Sequence, residues 1–139
     1  MELQKSGSLW TVCLNRNEEI ISNLTELALR EAIPFATILG VGAVKNTELG
    51  YFDLEKKDYL RRLFEEDAEL ISLNGNITWV DSKPYVHIHL CLSGPDFKAY
   101  AGHCFKATIA VAGEVVLQMG THQVNRKRAD FCGLNLWSL

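Results

Sequence analysis

The chain lacks the features that most readily announce a function. Its four cysteines, Cys13, Cys91, Cys104 and Cys132, contain no Cys-x-x-Cys pair, which argues against a Cys-only zinc knuckle. No apolar run approaches the roughly 20 residues of a membrane span, so no membrane partner is expected. The N-terminus, Met1-Glu-Leu-Gln-Lys-Ser-Gly-Ser, has no apolar signal segment. A reducing, cytoplasmic location with free thiols is expected. There is no basic excess either: net charge is −3, which argues against a free-standing nucleic-acid binder while leaving room for a local basic patch. Linkers, internal repeats and low-complexity tracts are all missing.

What is present is a globular composition, 47% hydrophobic and 22% charged over 139 residues. That length supports one domain, residues 1–139, with a real core. Ser8–Leu14 reads as a first strand. Asn15 or Asn17 is placed to cap a helix, with Glu18 and Glu19 in its first turn. Ile20, Leu24, Leu27 and Glu31 recur at helical spacing, and Ile21 and Ala28 widen the stripe. The helix must stop before Pro34. After it the chain reads mostly as strands: Phe35–Val44, Glu48–Phe52, then past a charged segment Asp53–Asp67, Glu69–Val80, Tyr85–Leu92, Phe97–His103, Thr108–Val111 and Glu114–Met119. Ser93-Gly-Pro-Asp96 is turn chemistry, Asn74-Gly75-Asn76 reads as a bulge, and Gly133–Leu139 as a docked or edge segment. One helix cannot supply the crossovers of a parallel sheet. The fold class is therefore α+β, a mainly antiparallel sheet with one N-terminal helix packed on it. Apolar strands with edges and faces to cover also suit a closed oligomer.

The chemistry concentrates in Pro84-Tyr-Val-His87-Ile-His89 and Ala101-Gly-His103. His87 and His89 lie two apart in an apolar strand, so both emerge on one face. His103, on the next strand, is placed to close on them. Three neutral imidazoles are a standard ligand set for zinc or a similar divalent metal with one position open. The competing reading is a set of hydrogen-bonded core or interface histidines. Cys91 shares the parity of His87 and His89 but is better read as a small buried hydrophobe, and His122 as a solvated loop residue. An open metal position would suit a hydrolase, given a positioned acid or base. Glu48, Glu69 and Glu114 are the candidates. Gly40-Val-Gly42 lacks the remaining glycines or Gly-Lys-Ser/Thr of a phosphate loop. His-x-His is followed by Leu-Cys-Leu-Ser-Gly-Pro, without the glutamate of a cupin. Arg126-Lys127-Arg128 is the one concentrated basic stretch, a phosphate-facing patch if repeated around an oligomer and otherwise a solvated turn. The mixed-sign segment Glu55–Asp67 reads as solvated surface.

Several segments, taken in order, resemble the plants-and-prokaryotes-conserved (PPC) domain. They are Gly40–Asp53, Glu69–Ile77, Pro84–His89, Gly102-His103 and Glu114-Val115. The resemblance implies a compact α+β fold assembled as a homotrimer. In plants the domain is joined to AT-hooks that bind AT-rich DNA, and serves self-association and recruitment of transcription factors. The implied partners are thus the chain itself, and DNA or a transcription factor, in a regulatory role. Some relatives resemble metal-containing proteins, which implies zinc or a similar ion on His87, His89 and His103. Asn74-Gly75-Asn76 falls in the segment resembling the partner-recruitment region, so it is either an interaction edge or a core strand. The sequence has no Arg-Gly-Arg-Pro core, hence no AT-hook, and the usual Gly-Gly-His stands here as Ala101-Gly102-His103.

Overall fold

The computed structural model describes Met1–Leu139. Nine strands and one helix follow in the order β1 (Glu2–Ser6), β2 (Leu9–Asn15), α1 (Ile20–Arg30), β3 (Ala36–Asp53), β4 (Asp58–Phe64), β5 (Ala68–Val80), β6 (Lys83–Ser93), β7 (Ala99–Met119), β8 (Asn125–Arg128) and β9 (Asn135–Ser138). This is the expected α+β architecture: all pairings but one are antiparallel, the exception being β5 with β8 through Trp79 and Asn125. Four strands close on themselves. β3 pairs with β5, β5 with β6, β6 with β7, and β7 with β3 again. Ring closure leaves these four strands few exposed backbone edges. β1 and β2 extend the sheet from β7, β4 from β3, and the β8–β9 hairpin from β5.

The chain's parity explains the core. Along β6, Val86, Ile88, Leu90 and Leu92 are buried, and the residues between them turn the other way. Helix α1 lays Ile20, Leu24, Leu27 and Ala28 into the same core and packs on β6 and β7. Its cap is Glu19, not Asn15 or Asn17. The Glu19 carboxylate accepts from the backbone N–H of Ile21 at 3.1 Å and of Ser22 at 2.7 Å, and also from Ala107 on β7 at 3.3 Å. Asn17 instead takes a left-handed turn, φ 70°, and no acidic residue lies within the first turn itself.

Several expected breaks do not occur. Phe35–Val44 and Glu48–Phe52 are one strand, β3, whose register shifts at Gly40–Gly42, Gly42–Val44 and Lys45–Glu48 let it bend from β5 toward β4. The three segments between Phe97 and Met119 likewise form one strand, β7. The bulge assigned to Asn74–Asn76 lies instead between Leu70 and Ser72; Asn74, Gly75 and Asn76 pair in register with His89, Ile88 and His87. The segment read as solvated surface contains β4, and the basic triplet read as a turn is β8. Strand β1 carries no strand signature in its sequence: its exposed, charged Glu-Leu-Gln-Lys-Ser has no apolar alternation, and only hairpin pairing with β2 makes it a strand. The C-terminal edge segment forms as β9.

Candidate metal centre

Strand parity and register bring the three histidines together. His87 and His89 leave the non-core face of β6, and His103 on β7 is the direct cross-strand partner of His89. Their potential ligand atoms all lie within 4.8 Å of one another. The rings form a near-equilateral triangle, with centroids 5.1, 5.2 and 5.4 Å apart. His89 faces solvent, and the other two are half-buried. Two glycines make this approach possible. A Cβ on Gly75 would stand 2.2 Å from the backbone oxygen of His87, so glycine is what lets β5 lie this close to β6. A Cβ on Gly50, opposite His103, would strike the rings of Phe105 and Tyr59.

The wall around the triangle is aromatic and cationic. Tyr59 and Phe105 lie against His103, at centroid distances of 5.1 and 4.8 Å. The Arg61 guanidinium sits 3.7 Å over Phe105, and Tyr85 flanks His87 at 6.2 Å. Burial, helped by the Arg126 charge and the other two histidines, pushes His87 down to about 4. Burial, then His89, Arg61 and Arg126, brings His103 to about 4 as well. Both rings are therefore neutral at pH 7, the state a metal ligand requires. His103 Nδ1 is buried without any hydrogen-bond partner. An orphaned buried nitrogen carries a desolvation cost, which a metal ion bound to it would remove.

Arg126 is the residue that spacing did not reveal. It is 8% exposed, and its guanidinium reaches inward from β8. Nε donates to Thr78 Oγ1 at 2.7 Å, Nη1 to the Asn135 carbonyl at 2.8 Å, and Nη2 to Asn76 Oδ1 at 2.9 Å. Nη2 also lies 3.2 Å from His87 Nδ1. Of the basic triplet, only Lys127 and Arg128 face solvent. The signal lay in pairing across 39 to 50 positions of sequence, which no local pattern carries.

The other candidates fall elsewhere. Asn74 and Asn76 pair directly across from His89 and His87, with Gly75 between them, in a stretch of β5 paired on both sides, with β3 and β6. Asn74 opens onto a groove of about 720 Å³ that also holds Leu39, Val41 and Glu114. Glu48 is engaged by Arg61 at 3.6 Å, Glu69 pairs opposite Ser93, and none of Glu48, Glu69 and Glu114 joins the ligand cluster. Cys91 pairs opposite Ala101 and is not in the cluster either. His122 is exposed in a loop.

Residues 1–121 match the family model of the Plants and Prokaryotes Conserved domain. The chain belongs to this family. Among solved structures, it is similar to the metal-containing protein AF0104 of Archaeoglobus fulgidus, at 33% identity and TM-score 0.87 over 99% of this chain and 96% of that one. A plant- and prokaryote-conserved protein of Pyrococcus horikoshii matches at 30% identity and TM-score 0.87, covering 99% and 94%. A protein of Bacteroides thetaiotaomicron, named as a candidate DNA-binding protein, matches at 29% identity and TM-score 0.95, covering 99% and 96%. No curated protein sequence matches the chain. Residues 122–139, with Arg126 among them, lie beyond the stretch that the family model matches.

Proposed function

We propose that this PPC protein is a divalent-metal-binding module, with His87, His89 and His103 as the ligands and zinc as the ion that suits them. The observation that carries the reading is the triangle of potential ligand atoms within 4.8 Å, one of its nitrogens buried and unpartnered. Three neutral imidazoles leave the ion its full charge and one open position, where it supplies Lewis acidity. Similarity to a metal-containing relative supports the same reading. The test is elemental analysis of untagged protein purified without added metal, beside a His87→Ala/His89→Ala variant. About one zinc-like ion per chain is expected, absent from the variant. No ion even after zinc is supplied overturns the reading.

The module is a homotrimer in this proposal. Leu39, Val41, Ile71 and Val111 stand 51%, 49%, 53% and 71% exposed on the adjoining strands β3, β5 and β7, more apolar surface than a monomer needs to show. Light scattering should return three times the chain mass; a monomer at micromolar concentration refutes it.

A second reading, a regulatory DNA-associated role, is favoured by relatives named as candidate DNA-binding proteins. Lys127 and Arg128 are the exposed cations that would meet phosphates. Binding to duplex DNA should weaken with salt, and a Lys127→Ala/Arg128→Ala variant should show a shallower salt slope. No binding at low salt sinks this role and leaves the metal module standing.

A further inference from the structure

The contact between Arg126 and His87 has a chemical consequence. A guanidinium only donates, so His87 Nδ1 accepts from Nη2, and the proton of the neutral ring sits on Nε2. Both nitrogens of His87 are then taken, one by a guanidinium N–H and one by a proton. His87 cannot become a neutral metal ligand while this bond stands. A metal on Nδ1 displaces the Nη2–H. A metal on Nε2 requires the proton on Nδ1, which then faces the Nη2–H. In either case one Nη2–H is set free beside His87.

The rest of the guanidinium has partners of its own. Thr78 Oγ1, the Asn135 carbonyl and Asn76 Oδ1 hold its fork from three directions. Arginine has five N–H bonds, and these contacts together with His87 use four, leaving one on Nη1. With the released bond on Nη2, Nη1 and Nη2 each hold a donor, a pair able to take the two oxygens of a carboxylate end-on. The reach also fits. Nη2 already stands 3.2 Å from a ring nitrogen of His87, at the edge of the histidine cluster. The surroundings call for an anion. The charged groups that act on His87 and His103 are Arg126 and Arg61, and the carboxylate of Glu48 is already paired with Arg61. A divalent ion on three neutral ligands would leave this pocket strongly positive.

We infer, resting on the metal-binding reading above, that Arg126 is a carboxylate clamp: metal capture frees it from His87, and it then holds a small carboxylate at the ion's open position. The residue comes from the C-terminal β8–β9 hairpin, beyond residues 1–121 that the family model matches.

The test uses full-length protein loaded with Co²⁺, whose visible bands report its ligands. Acetate and inorganic phosphate are titrated separately in an anion-poor buffer. Acetate should shift the wild-type bands, and Arg126→Gln should need about 10- to 100-fold more acetate for the same shift. Arg126→Lys keeps the charge without the fork and should fall between, which also guards against a Gln variant that folds poorly. Stoichiometric cobalt with an acetate response independent of residue 126 overturns the clamp alone. Phosphate bound ten times more tightly than acetate overturns the carboxylate assignment. Failure of any cobalt to bind overturns the metal reading, and the clamp with it.

Discussion

Replacing Gly75 with alanine tests whether close strand approach holds the histidine site together. The added Cβ would meet the His87 carbonyl oxygen at 2.2 Å and Ile88 Cγ1 at 3.0 Å, more than about 1 Å short of ordinary contact for the oxygen. The obstacle is backbone, and β5 cannot retreat because β3 is paired on its other side at Ile38. The cost should therefore sit at the upper end of overpacking, about 3 kcal/mol. For a chain of this length the unfolding entropy is roughly 0.3 kcal/mol per kelvin, so the melting temperature should fall by about 10 °C. The assay is thermal unfolding of the metal-free protein by circular dichroism at fixed concentration. Gly94→Ala is the control. Its Cβ meets nothing nearer than Asp96 Oδ1 at 3.9 Å, and it should cost less than about 0.5 kcal/mol. Zinc should also stabilise Gly75→Ala less than wild type, since the same shift moves His87. A Gly75→Ala melt within about 3 °C of wild type would refute the reasoning.

Further outcomes follow from the same contacts. Because His87 and His103 resist protonation until about 4, whereas unfolded histidines take protons near 6.5, the unfolded state binds more protons between those values. Metal-free stability should thus be full above pH 6.5 and fall as pH drops toward 4. Urea midpoints against pH should show this slope, and a His87→Gln/His103→Gln variant should flatten it. Glu19→Ala removes the cap bonds to Ile21 and Ser22 and the tie to Ala107, and should cost about 1–2 kcal/mol in denaturant titration. Burial pushes the Cys104 thiol up to about 12, while Cys13 is exposed. A thiol reagent at pH 8 should label Cys13 in the folded protein and reach Cys104 only on unfolding.

The histidine triangle was legible because its information is local. His87 and His89 sit at period two in an apolar strand, and Ser93-Gly-Pro-Asp96 marks the turn that returns the chain to His103. The helix was legible from its apolar stripe, but its cap was not. Asn is the commoner cap, and Glu19 takes the role because its carboxylate also reaches Ala107 on β7, a contact 88 positions away. The long strands β3 and β7 looked like several short ones because bulges reset the burial parity partway along. Arg126 was hidden for a plainer reason. An arginine between a lysine and another arginine looks solvated, and only the pairing of β8 beside Trp79 turns it inward.

The order of the site along the chain sets an order of assembly. All three histidines belong to one hairpin, β6 and β7 joined by Gly94–Lys98, so gathering them closes only a short loop. Arg126 comes from the far end of the chain. During synthesis from the N-terminus, all three histidines therefore enter the chain before Arg126. The β6–β7 hairpin by itself leaves His87 free of its competitor, and only the docking of β8 beside Trp79 brings Arg126 to it.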